Sequence, residues 1–207
     1  MTFIDISRPI QTGMPVWPGD TPAEFDFAAT KAGGYSCNVG RARVSMHAGT
    51  HADAPYHFDD AGAKIDEIAI GTYVGPARVV DARGQAVVSP AVLASFDLAA
   101  TPRVLLRTDA WADAGKFPAS WPLLAPELPA WLAERGVKLL GLDFPSVDHR
   151  ESKDLPIHHA LGRAGVHILE SLELRGVEAG VYDLIALPLR IRGADGSPVR
   201  AVLRTRD

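Results

Sequence analysis

A single cysteine, Cys37, in a chain of 207 residues excludes an intrachain disulfide and leaves any thiolate-built structural metal site without its ligands. That scarcity fits a reducing compartment, and the expectation is a cytoplasmic protein. An excess of one charge is lacking as well. The formal net charge is −4, which gives no basic footprint for nucleic acid or an anionic membrane. No apolar run approaches the roughly 18 residues needed to cross a bilayer. The opening MTFIDISRPI has neither a basic n-region nor an apolar h-region, so no secretory signal is expected. Internal repeats and low-complexity tracts are missing. So are the Gly-x-Ser-x-Gly elbow of serine hydrolases, the Walker A loop and the Gly-x-Gly-x-x-Gly of dinucleotide sites. A cysteine nucleophile would rest on Cys37 alone. A small neutral or anionic metabolite is the partner these absences leave open.

What is present reads as a globular α/β chain. Hydrophobic residues make up 47% and charged residues 22%, so the composition can fill a core. The first 35 residues carry RPIQTGMPVWPGDTP, rich in Pro and Gly, and predict ordered loop with short strands. Segments of this kind often pack across a subunit boundary, and a homodimer is the expectation. Short aliphatic runs at 77–83, 103–109, 138–144 and 181–191 are bounded by Gly, Pro or Asp, as strands are. PVRAVLRTR at 198–206 alternates like a strand with one wet face. Helices are predicted after Ser89-Pro90, over LPAWLAERG at 128–136, and at the start of HHALGRAGVHILESLEL, 158–174, which finishes extended. The stretch 110–127 reads as a long loop, the sort that often closes a site. The expected architecture is one α/β domain over 1–207, with a strand-built core (a barrel-like mixed sheet) and a few flanking helices.

One segment needs a different explanation. HAGTHADAPYHF, 47–58, holds three of the seven histidines beside Asp53, Gly49 and Pro55. His47, His51, Asp53 and His57 all fall on odd positions, which an extended chain points one way. A straight strand over 47–57 would span roughly 33 Å, too far for one ion, at about 3.3 Å per residue. Gly49 and Pro55 are where the chain can bend to bring the ends together. His51 and Asp53 need no bend: they sit roughly 6.6 Å apart on one face of a strand. Imidazole and carboxylate without sulfur suit Zn, Mn or Fe(II), and N/O-only ligation marks a catalytic ion with an open position. One segment rarely completes such a site. His149, His158, His159, His167, Glu170 and the acids near Asp143 and Asp148 are all open candidates for the rest.

These residues resemble the cyclase-family metal-dependent hydrolases. The resemblance covers almost the whole chain: DISRPIQTGMPVWPGDTP, NVGR at 38–41, HAGTHADAPYHF, LLGLDFPSVD at 139–148, HHALGRAGVHILESLEL and LPLRIRGADGSPVRAVLR. The opening VWPGDTP and closing SPVRAVLR are similar to the formamidase branch. The resemblance implies a first metal on His47, His51 and Asp53, and a second on Asp53, His158 and Glu170. The resemblance selects His158 over His159, because its twelve-residue distance from Glu170 fits the family's pattern. It implies His57 as the general acid/base and Trp17 as a substrate-binding wall.

The implied cofactor is Zn2+, two per subunit, with Mn2+ as the alternative. The implied reaction is hydrolysis of N-formyl-L-kynurenine to L-kynurenine and formate. There, metal-activated water attacks the formamide carbonyl and His57 moves protons. Two rivals stay open. One is a sister hydrolase of a cyclic amide such as isatin, with the same ligands. The other is a non-catalytic metal-binding protein, which would have no use for a free His57.

Overall fold

The computed structural model describes residues 1–206. In chain order the strands are β1 (Phe3–Asp5), β2 (Glu24–Ala29), β3 (Val39–Arg43), β4 (His51–Asp53), β5 (Val74–Asp81) and β6 (Val87–Val88), then β7 (Arg103–Arg107) and β8 (Leu123–Leu124). They continue with β9 (Leu139–Leu142), β10 (His167–Glu170), β11 (Gly180–Ile185), β12 (Gly196–Pro198) and β13 (Val202–Thr205). Helices α1 (Pro90–Leu93), α2 (Leu128–Glu134) and α3 (Pro156–Ala164) lie between them.

Nine strands form one mixed sheet in the order β1-β13-β11-β5-β7-β9-β10-β4-β12. The middle strands β5, β7, β9 and β10 are parallel, and the outer ones antiparallel. Parallel strands need both faces covered, and the aliphatic runs RVLLR and LLGL supply both. Val104, Leu106, Leu140, Leu142 and Ile168 pack under Leu128, Leu132 and Leu161 of the helices. Leu105, Leu139 and Leu169, one position out of phase, join Ile6, Ala52, Leu184 and Leu203 in a second core.

The sheet curls into a half-barrel, and the chain's own reach requires it. β12 and β13 are seven strand spacings apart in the sheet, about 34 Å if it were flat. Yet only residues 199–201 join them, and four Cα steps reach about 15 Å at most. That linker is stitched down as it crosses: Val199 N donates to Thr50 O at 2.9 Å, and Ile6 N to Ala201 O at 3.0 Å.

The crossing explains why PVRAVLRTR is not one strand. Its ends belong to β12 and β13, on different parts of the curled sheet. The run 181–191 is shorter than its composition suggests too: β11 stops at Ile185, and Pro188 keeps one isolated bridge to Val199. The segment from 158 does change from helix to strand, at Gly165. The hairpin β2–β3 stands apart, with Phe25 and Phe27 each about half exposed.

Candidate metal centre

Three consecutive residues set the floor of the site. β4 lies between β10 and β12, with His51 opposite Glu170 and Asp53 opposite Ile168. Alternation sends Ala52 into the second core and His51, Asp53 and Glu170 to the helix-covered face. His47 reaches the same spot because the chain turns at Gly49, whose φ is +64°, a conformation glycine takes without a Cβ penalty. Gly196 on β12 makes room for it, since a Cβ there would lie 3.0 Å from His47 Cε1 and 2.9 Å from Ala52 O. After Asp53 a 3-10 turn over Pro55–His57 swings His57 back over the floor.

His158 comes from α3. Leu155, at the N-cap of that helix, has left-handed dihedrals and no side-chain cap. Asp148 takes over the capping from a distance. Its carboxylate accepts from Ile157 N and His158 N, both at 3.0 Å, and from His158 Nδ1 at 2.6 Å. One residue therefore fixes the helix start and the ring.

The side chains converge. His47 Nδ1 is 2.9 Å from Asp53 Oδ1, and His51 Nε2 is 3.4 Å from the same oxygen and 3.5 Å from Glu170 Oε2. His158 Nε2 faces Asp53 Oδ2 at 3.7 Å and Glu170 Oε1 at 3.8 Å. Asp195, from the turn before β12, holds His47 Nε2 at 3.0 Å and faces His57 Nδ1 at 3.8 Å.

The donor set suits a divalent cation. His51 Nδ1 donates to Gly49 O at 2.8 Å and His158 Nδ1 to Asp148, so each ring turns Nε2 inward as a lone pair. His51 Nε2 and Asp53 Oδ2 are buried with no hydrogen-bond partner, a cost that coordination would remove.

The electrostatics agree. Burial resists charging His47, but hydrogen bonds to Asp195 and Asp53 outweigh it and raise its pKa to about 9. Burial is likewise overcome at His51 by Asp53 and Glu170, and at His158 by Asp148 and Asp53, each rising to about 10. Burial would raise Asp53, yet the surrounding imidazoles hold it well below the carboxylate range. Glu170 is pushed up by burial and by the Asp53 charge. Buried anions that draw protons onto three histidines are poised to exchange those protons for a cation.

His57 differs. No hydrogen bond joins its ring to another described residue, and burial lowers its pKa to about 4, with Asp53 opposing and His47 and His158 adding to the fall. It opens, with Trp17, Trp111, Phe117, Glu170 and Ser171, onto a cavity of about 450 Å3.

The structure thus gathers His47, His51, Asp53, His57, His158 and Glu170 in one place, with Trp17 on the same cavity. Other candidates fall elsewhere. His149 is exposed, His159 packs on Phe58, and His167 lies beside Tyr73. Asp143 accepts from Thr108 and Asp109 backbone N–H groups and serves that turn.

Sequence reasoning gave Asp195 no role and placed Asp148 only among possible ligands, because carboxylates that orient a histidine follow no fixed spacing. It also missed the aromatic wall. Phe117 and Trp121 lie 5.6 and 6.0 Å from Trp17, ring to ring, and the signal was three aromatics within 111–121.

Buried imidazoles with outer carboxylates, around inward-turned nitrogen and oxygen lone pairs, define the class: a candidate N/O-ligated metal centre opening on an aromatic cavity. Comparison with known proteins goes further. The "Putative cyclase" family model matches residues 4–149, and the chain belongs to that family. It is 45% identical over 202 residues to a kynurenine formamidase of Bacillus cytotoxicus, covering 98% of this chain and 97% of that one. A solved structure of a potential metal-dependent hydrolase with cyclase activity superposes with TM-score 0.84 at 27% identity, covering 100% and 98% of the two chains. Isatin hydrolase A from Labrenzia aggregata gives 0.83 at 25%, covering 99% and 94%. Among the described residues no helix is long and apolar enough to cross a membrane.

Proposed function

We propose that this chain hydrolyses N-formyl-L-kynurenine to L-kynurenine and formate, using zinc, two ions per subunit. The observation that carries the hydrolytic reading is the pair of buried, unpartnered atoms, His51 Nε2 and Asp53 Oδ2, beside the cavity. The substrate comes from the relatives called kynurenine formamidase, aligned over nearly the whole chain. His47, His51 and Asp53 would hold one ion, and Asp53, His158 and Glu170 the other. When bound, the metal supplies Lewis acidity that polarises a carbonyl and acidifies water.

The chain's own residues do the rest. Trp17 and Phe117 offer ring edges and faces against which an anilide can stack. His57 sits over the floor, free to take a proton from water and return one to the departing aryl amine. Asp195 faces His57 Nδ1 at 3.8 Å, close enough for its charge to favour the protonated ring without fixing it.

The test is formate release by purified, zinc-loaded protein. Turnover of N-formyl-L-kynurenine should vanish with a chelator and return with zinc. Faster turnover of isatin than of the formamide would overturn the substrate assignment, and metal binding with neither activity would overturn the reaction.

Asp148 yields a separate expectation. Asp148→Ala releases the His158 ring and two N–H groups of α3, so metal affinity should fall about 10–100-fold in a chelator competition. Unchanged affinity would mean that packing alone orients His158. The exposed β2–β3 hairpin is the proposed contact of a homodimer, since an isolated two-stranded hairpin is marginal in water. Sedimentation at the mass of one chain would exclude that.

A further inference from the structure

Ser171 is aimed against its own strand. It follows Glu170 at the end of β10, and regular alternation would send its side chain to the face opposite Glu170. Instead its φ is +59°, a left-handed conformation that non-glycine residues rarely take, and it lines the same cavity as Glu170, His51 and Gly49.

The backbone is clamped in that state from both sides. Ser171 N donates to Phe144 O at 3.1 Å, and Ser171 O accepts from Thr50 Oγ1 at 2.7 Å. The residue is only 3% exposed, yet no hydrogen bond joins its hydroxyl to another described residue. Ser146, which lines the cavity too, differs in that its Oγ already accepts a hydrogen bond from Asp148 N at 3.2 Å. A strained backbone that turns the unengaged hydroxyl of a buried residue toward the cavity is what a substrate contact requires.

We propose that the Ser171 hydroxyl donates a hydrogen bond to the acyl oxygen of the substrate, an inference that rests on the formamide hydrolysis proposed above. Ser171 is one peptide unit from Glu170, so the hydroxyl belongs to the end of the cavity where bonds change. The aromatic ring is accommodated at Trp17 and Phe117, and the nitrogen is served by His57. As water adds to the formamide carbon, the C=O π electrons move onto oxygen. The hydroxyl stabilises that charge without giving up its proton. When the C–N bond breaks, the carbonyl re-forms and the aryl amine leaves with the proton from His57.

The experiment compares S171A and S171G with wild type, each zinc-loaded, in kcat/KM, metal content and Tm. Both variants should lose about 100-fold in kcat/KM, chiefly in kcat, with metal content unchanged. S171G should hold its Tm at or above the wild-type value, because glycine takes the left-handed φ without a Cβ. Full activity in S171G would overturn the proposal, leaving Ser171 as a turn residue. A loss of rate that tracks lost metal would overturn it as well, since the effect would then run through Glu170. Wild-type protein inert on formamides would sink the functional reading and this proposal with it. Wild-type turnover with active S171G sinks the proposal alone.

Discussion

Asp53→Asn should lower kcat/KM by about 1000-fold or more, equivalent to about 4 kcal/mol of transition-state stabilisation, and leave the protein with less bound metal than wild type. Asp53 is the one carboxylate that every buried imidazole shares. It accepts from His47 Nδ1 at 2.9 Å, lies 3.4 Å from His51 Nε2 and faces His158 Nε2 at 3.7 Å. The amide is nearly isosteric, so the packing of β4 between β10 and β12 survives and the lost term is the charge. Without it, two candidate ion positions lose their common ligand and the three imidazoles lose the anion that neutralises them. An amide would also place an N–H donor where inward lone pairs are needed. Metal analysis after gel filtration, alongside kcat/KM at saturating zinc, reads both effects. Wild-type metal content with wild-type turnover in Asp53→Asn would remove Asp53 from the centre altogether.

What the sequence made legible follows the range of the interactions involved. His51 and Asp53 are two residues apart on one strand, and period-two alternation is a local rule, so their common face could be read directly. Gly49 was legible as a bend because a positive φ is a property of single residues. His158 and Glu170 could not be placed that way. They meet β4 only through the pairing of β10 with β4 and the packing of α3, and it took the family resemblance to pick them from seven candidates. Asp195 was invisible for the same reason. It lies 148 residues from His47, in a Gly-Ala-Asp-Gly turn that reads like any other. The alternating PVRAVLRTR misled because periodicity reports a local face, whereas the break after Pro198 is imposed by the curl of the whole sheet. The aliphatic strands were readable in type but not in order.

His57→Ala should cut kcat by about 100- to 10,000-fold while metal content stays at the wild-type level. The two halves of that expectation separate the available roles. Geometry alone admits His57 as a ligand, because one of its nitrogens lies within 4.8 Å of ligand atoms of Asp53 and His158, and likewise of His47 and Asp195. Three observations favour proton transfer instead. His51 and His158 each have one ring nitrogen fixed by a hydrogen bond, whereas the His57 ring has none and meets Asp195 only at 3.8 Å. Its side chain is 31% exposed, against 3% for either of the others, so it borders the space a substrate would fill. It arrives on a 3-10 turn rather than the sheet, which leaves the ring freer to shift as it takes and returns a proton. The acid half of the cycle matters most, since an aryl amide nitrogen departs slowly unless protonated as the C–N bond breaks. Added imidazole should therefore restore part of the turnover of His57→Ala, and the gain should shrink for substrates with better leaving groups. Loss of metal together with activity would make His57 a ligand, and undiminished turnover with metal bound would leave proton transfer to solvent or to another residue of the cavity.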